Sequence, residues 1–147
     1  MEYNPLFDGT YHLRPWVDSL PLEYKYSLGV AGKTFSEGLK QGKILASKCS
    51  RCNESRIPPS IYCVGCFGYS DGYVQVSETG TLYSFASRGD VVVAAVEFKG
   101  VKGLLFHRLA VSDRNKLEIG APVRPVFVQQ AIRKGDITDI DHFELAV

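Results

Sequence analysis

No stretch of this chain approaches the roughly 18 or more consecutive apolar residues that a membrane-spanning helix requires. The nearest, Val91 to Val96, is short enough to be a buried strand. A helical span is therefore excluded. Charge of one sign is equally scarce: 17 basic residues face 16 acidic ones. That near-cancellation removes the broad positive field expected of a protein whose main task is to hold a phosphate backbone, and makes nucleic acid an unfavoured partner. The segment from Met1 to Pro15 mixes Glu2, Asp8, His12 and Arg14 with single aromatics and lacks the continuous apolar core of a secretory signal, which points to a cytoplasmic location. The chain also lacks a Gly-x-Ser-x-Gly elbow, a phosphate-binding Gly-Lys-Ser/Thr loop, a Gly-rich dinucleotide fingerprint and a His-Glu-x-x-His helix. The hydrolase, nucleotide-binding and metalloprotease classes built on those motifs lose support.

Cysteine is sparse but patterned. The four cysteines stand as Cys49-Ser-Arg-Cys52 and Cys63-Val-Gly-Cys66, with ten residues between the pairs. In a reducing compartment this spacing points to metal rather than to disulfides. Each pair can fold back as a knuckle presenting two thiolates, and four thiolates supply the tetrahedral shell that Zn²⁺ prefers. Asn53 and Gly68, just after the pairs, are residue types that tolerate the left-handed backbone of such knuckles. Pro58-Pro59 stiffens the loop between them. Four protein ligands close the shell and leave no place for a catalytic water, so the expected role is structural: a zinc ribbon.

The 147 residues, 45% of them hydrophobic, suit one domain or two small modules. Composition divides them into an aromatic, partly helical segment over 1–42, the Cys-bearing segment over 43–72, and a strand-rich remainder over 73–147. Thr34 followed by Glu37 is a capping-box pattern that predicts a short helix starting there, with Phe35 and Leu39 on its buried face and Gly42 ending it. An earlier helical turn is expected around Leu20 to Leu28. Beyond Val74 the hydrophobic period is two. Strands are predicted over 76–87, 91–98, 102–110, 122–129 and 137–145, separated by turn chemistry at Gly89-Asp90, Gly100-Val101, Ser112 to Lys116 and Lys134-Gly135-Asp136. Five short antiparallel strands suit a small barrel of the OB type. In its second strand both faces are apolar, with Val92, Ala94, Val96 and Phe98 on one and Val91, Val93 and Ala95 on the other. One face fills the barrel; the other needs covering by the N-terminal helices or by a partner protein.

No catalytic grouping emerges from the remaining residues. His107 lies on a strand without a visible partner, and His12 and His142 lie nearer the termini. Asp139 and Asp141 would share one strand face as solvated carboxylates. Lys48, Arg51 and Arg56 cluster around the first knuckle, either as phosphate contacts or as solvated surface cations. Tyr62, Phe67, Tyr69 and Tyr73 could form a contact surface around the ribbon or simply cover it.

The run Tyr26-Ser-Leu-Gly-Val-Ala-Gly, then Phe35-Ser-Glu-Gly-Leu-Lys-Gln-Gly-Lys-Ile-Leu, Lys48-Cys-Ser-Arg-Cys52, Pro58-Pro59, Cys63-Val-Gly-Cys66 and Gly80-Thr-Leu-Tyr-Ser-Phe resembles the acyl-CoA-associated OB-fold family with a rubredoxin-like zinc ribbon, first catalogued as domain of unknown function thirty-five. Leu117-Glu-Ile-Gly120 followed by Val123 looks like that family's barrel signature, so the resemblance runs from about residue 20 to the C-terminal part. It implies a mainly β protein: N-terminal short α-helices, a rubredoxin-like zinc ribbon and a C-terminal five-stranded OB-fold barrel. It also implies a non-catalytic companion of thiolase-type enzymes, most similar to the archaeal branch. In that branch, members resemble a scaffold joining acetoacetyl-CoA thiolase to hydroxymethylglutaryl-CoA synthase in the mevalonate route, with acyl-CoA as ligand. Lys48, Arg51 and Arg56 would then be candidate contacts to the phosphates of coenzyme A. The competing reading is a single-stranded nucleic-acid module, since zinc ribbons and OB barrels also serve there.

Overall fold

The structure, a computed structural model, describes residues 23–113 and 117–146. The expected two-helix N-terminus is corrected to one helix among them, α1 (Gly29–Lys40). Residues 23–28 carry no helix, and 20–22 lie outside the described residues. The start also moves: α1 begins at Gly29 with no side-chain cap, and the Thr34 hydroxyl donates to the Val30 carbonyl one turn back at 3.0 Å. A residue already inside a helix has its own N–H committed, so the Thr34/Glu37 pattern is not a cap. Ala31, Phe35 and Leu39, four apart, form the buried stripe. The C-terminus is as expected. Gly42 is left-handed (φ 73°), its N–H bonds to the Leu39 carbonyl and the Lys43 N–H to the Gly38 carbonyl, each at 2.9 Å. These are the two bonds of a Schellman ending.

Five strands close a barrel: β4 (Gly80–Arg88), β5 (Val91–Phe98), β6 (Val101–Ala110), β7 (Pro122–Phe127) and β8 (Ile140–Leu145). β4 pairs antiparallel with β5 and β7, β5 with β6, and β7 with β8; the parallel pairing of β6 with β8 at Leu109 and Phe143 completes the circuit. Leu82, Val96, Leu105, Val123, Ile140 and Phe143 fill it. Two predicted strand starts move by three residues or more, and β7 ends at Phe127 rather than at residue 129. β4 starts at Gly80 rather than residue 76 because the Ser77 hydroxyl donates to the Thr79 carbonyl in a turn. β8 starts at Ile140 because residues 137–139 form a 3-10 turn.

The Cys-bearing segment and the residues just after it contribute β1 (Leu45–Lys48), β2 (Ser55–Arg56) and β3 (Gly72–Gln75), with β1 in the middle. β2 meets β6 in parallel at Arg56 and Lys102, so the ribbon strands extend the barrel sheet into one sheet of eight. Leu39, Ile44, Ala46 and Ile57 join the same buried cluster as the barrel residues. α1 packs on β1 and on the turn at residues 137–139. Arg133 ties that contact down: it donates to the Val128 and Lys40 carbonyls, the latter at the end of α1, and lies over the Phe127 ring.

The doubly apolar β5 behaves as its pattern predicts on one side. Val92, Ala94, Val96 and Phe98 are buried. On the other side Ala95 is buried, but Val91 (49%) and Val93 (40%) remain exposed, as does Phe106 (64%) on the neighbouring strand. α1 does not cover this face among the described residues.

Candidate metal centre

The two knuckles repeat one backbone design. In the first, the Asn53 N–H donates to the Cys49 carbonyl and the Cys49 N–H to the Glu54 carbonyl, both at 2.9 Å. In the second, the Phe67 N–H donates to the Cys63 carbonyl and the Cys63 N–H to the Gly68 carbonyl, both at 2.8 Å. Both turns need a left-handed residue just after the second cysteine, and Asn53 (φ 63°) and Phe67 (φ 55°) supply it. Asn53 takes the left-handed position expected of it, whereas in the second knuckle that position falls on Phe67 rather than on Gly68.

Folding the knuckles against each other brings all four Sγ atoms within 4.8 Å of one another, with Cys49 and Cys66 at 3.6 Å and Cys52 and Cys63 at 3.4 Å. These are not disulfide separations: the thiols are free. A tetrahedral Zn²⁺ with bonds of about 2.3 Å sets its sulfur atoms about 3.8 Å apart, so the four side chains already stand close to the required spacing. The donor set fits Zn²⁺. All four positions of a bound ion would be taken by protein thiolates, which would leave no open site for substrate.

Without metal the crowded thiols share their ionisation. At Cys52 the Glu54 backbone donor favours the thiolate, but the neighbouring Cys63, Cys66 and Cys49 thiols together with burial outweigh it and push the group up to about 12. At Cys63 the Cys66 N–H, aided by the Cys52 thiol and the Gly65 N–H, overcomes burial and brings the group down to about 7. The Cys63 thiolate therefore forms readily near neutral pH while Cys52 resists ionisation. A divalent cation removes that conflict by accepting all four.

Glu54 links this centre to the barrel. Its carboxylate accepts from Lys102 Nζ of β6 at 2.7 Å and from Arg56 Nη2 at 3.1 Å. The Lys102 ammonium, then the Arg56 guanidinium, hold the Glu54 carboxyl below the ordinary range. Arg56 is thus committed within the protein, and its Nε is buried without a partner among the described residues. Lys48 sits half-buried at the end of β1 and Arg51 is exposed in the first knuckle.

Elsewhere, one sequence expectation is overturned. Asp139 is 2% exposed, not a solvated surface carboxylate: it accepts the Lys134 and Gly135 backbone N–H groups at 2.8 and 2.6 Å. Its lack of strand alternation with Asp141 explains the error, since 137–139 is a 3-10 turn. Asp141 is exposed and pairs with His142 Nδ1 at 2.8 Å. His107 bonds through Nε2 to the Ile137 carbonyl at 3.2 Å, and its ring lies tilted at 58° to that of Phe143 with centroids 6.2 Å apart, a structural setting. His12 lies outside the described residues. A cleft of about 260 Å³ opens between the β1/β3 side and β7, with Ile44, Val76, Pro125 and Phe127 on its apolar walls and Glu78 and Arg124 supplying charge. Neither Lys48, Arg51 nor Arg56 lines it. Among the described residues no helix is long and apolar enough to cross a membrane.

Comparison with known proteins agrees with this architecture. Residues 36–69 match the family model described as ChsH2, rubredoxin-like zinc ribbon domain. No curated protein sequence matches the chain. Among solved structures, the chain is similar to a protein of unknown function from the DUF35 family of Sulfolobus solfataricus, at 24% identity and a TM-score of 0.64 over 80% of this chain and 87% of that one. It is also similar to a chain of an assembly described as Ltp2–ChsH2(DUF35) aldolase, at 24% identity and a TM-score of 0.63 over 84% of this chain and 100% of that one. The protein thus has the ribbon-and-barrel fold of those two structures, with a ribbon that matches the ChsH2-type zinc-ribbon family.

Proposed function

We propose that the protein is a non-catalytic, acyl-CoA-binding accessory subunit that bridges a thiolase-type enzyme and a partner such as hydroxymethylglutaryl-CoA synthase. The observation that carries this reading is the pairing of a closed four-thiol ribbon, which leaves no metal position open to substrate, with a barrel whose Asp141–His142 pair does not line the cleft beside β7. The likeness to a chain from the Ltp2–ChsH2(DUF35) aldolase supports an enzyme as the partner. In this reading the cleft between the ribbon-side strands and β7 takes the pantetheine arm along Ile44, Val76 and Phe127. Lys48 and Arg51 are the candidate phosphate contacts, and Arg56, held by Glu54, is the least available of the three. Titration with an acyl-CoA tests the ligand: wild-type protein should bind it and Lys48→Ala/Arg51→Ala should weaken binding, whereas no binding by the wild type overturns this part.

One observation favours a second reading. Phe106 stands exposed two residues from Arg108 on β6, the residue types that stack and neutralise a single strand. The balanced charge of the barrel opposes it. Salt-sensitive binding of single-stranded oligonucleotides at physiological ionic strength would establish that role.

A further inference from the structure

β4 is paired along both edges only at its start. β5 accompanies it from Thr81 to Arg88, whereas β7 reaches only Gly80 and Thr81. At Leu82 the second edge is still occupied: the Leu82 N–H donates to the Ala121 carbonyl and the Leu82 carbonyl accepts the Gly120 N–H, both at 2.8 Å. Beyond that point the β4–β5 register shifts between Leu82 and Ser84, and residues 118–121 fold into a turn closed by the Ala121 N–H on the Glu118 carbonyl. From Tyr83 to Arg88 the outer edge of β4 meets no strand among the described residues, and every residue on it is exposed.

A strand in an antiparallel sheet points its backbone bonding groups to both sides, so this stretch presents donors and acceptors that a further strand can satisfy. Edges meant to stay free carry lysine, proline or an inward charge. Residues 79–87, Thr-Gly-Thr-Leu-Tyr-Ser-Phe-Ala-Ser, carry none of these, and Tyr83 (53%) and Phe85 (38%) stand exposed among small neighbours.

Symmetry and charge select the occupant. An antiparallel edge is its own hydrogen-bonding complement, so a two-fold axis through the middle of residues 83–87 pairs the segment with its own copy and closes the assembly. No charge within the segment then faces its like. The same axis sets Arg88, at the end of one β4, beside the turn that bonds Leu82 of the other, and that turn carries the exposed Glu118. Opposite charges therefore meet at both ends of the pairing.

We infer that the outer edge of β4 over residues 83–88 is a self-association surface, joining two copies of the chain antiparallel across a two-fold axis with Arg88 of each against Glu118 of the other. It is independent of the accessory-subunit reading and uses none of the residues lining the cleft beside β7. A pairing this short makes a weak, concentration-dependent dimer.

Sedimentation equilibrium of the purified full chain, from low micromolar to near-millimolar concentration, tests it. Wild-type protein should pass from monomer to dimer over that range. Arg88→Glu and Glu118→Arg should each weaken the dimer about tenfold, because symmetry repeats each reversal twice, and Arg88→Glu/Glu118→Arg together should restore it. Ser87→Lys, at an exposed site, should leave the chain monomeric with an unchanged melting temperature. A wild type that stays monomeric at the highest concentration overturns the inference. So does a dimer that Ser87→Lys and the single reversals leave intact, and so does a double variant that associates no better than the singles. Edge variants that instead lose affinity for a thiolase-type enzyme, with the wild type monomeric, assign the edge to that partner and overturn it as well.

Discussion

The carbonyl oxygen of Ile57 occupies the space that a Cβ on Gly103 would need, and Gly103 is itself left-handed at φ 98°. The Ile57 N–H meanwhile donates to the carbonyl of the neighbouring Lys102 at 2.9 Å. This contact is where the ribbon's β2 joins the barrel's β6. Gly103→Ala must strain the backbone and force the two strands apart, at an expected cost of about 2–4 kcal/mol. Chemical denaturation should show the loss. A cost below about 0.5 kcal/mol would mean that the strands part easily and that the joint is not a close contact.

The metal prediction follows from the sulfur geometry. Purified protein should carry one zinc per chain, and a strong chelator should remove the hydrogen-exchange protection of residues 43–72. Cys63→Ser should abolish stoichiometric zinc, because structural metal binding and ribbon folding are one free energy, on the order of 10 kcal/mol in isolated zinc-finger peptides. Metal-free protein with the ribbon amides still protected would contradict it.

Asp139 makes a separate test of the barrel. Removing the acceptor of two short backbone donors, with the site buried, should cost about 2–3 kcal/mol in Asp139→Ala. Asp139→Asn should recover part of that. The loss should concentrate in the loop at 134–139 and in α1, because that loop packs on α1 so closely that a Cβ on Gly135 would meet Ser36 and Lys40.

Asp136 sets an acid dependence. The Thr138 hydroxyl and backbone N–H both donate to its carboxylate and hold it below the ordinary range. The folded group therefore binds its proton less tightly than the unfolded one. Its contribution is fully present above the unfolded value of about 3.9 and is lost as the pH falls from there through the depressed folded value. Stability measured over that interval should decline with acid in the wild type and more shallowly in Asp136→Ala; identical slopes would show that the pairing does not matter.

The parts of the fold legible in sequence are those with a local signature. Paired cysteines announce a metal knuckle because each pair is complete within four residues, and Gly42 announces a helix end because one left-handed residue suffices. Strand periodicity located β5 at its observed bounds and the others within a few residues. What stayed hidden depends on tertiary contact. Thr34 reads as a cap until the preceding turn is seen to be helical, with Val30 accepting its hydroxyl. Asp139 reads as surface until the chain folds Lys134 and Gly135 back onto it. Phe67 could have been suspected from its place after Cys66, the position equivalent to Asn53.

The central claim is that the protein works as a subunit of an acyl-CoA enzyme assembly and not alone. The most direct measurement is affinity purification of the tagged full-length chain from its native source, with the eluate identified by mass spectrometry and its assembly mass determined. The account predicts stoichiometric recovery of a thiolase-type enzyme together with a synthase-type partner, and no turnover by the isolated chain. Recovery of the chain alone, or with nucleic acid only, would contradict it.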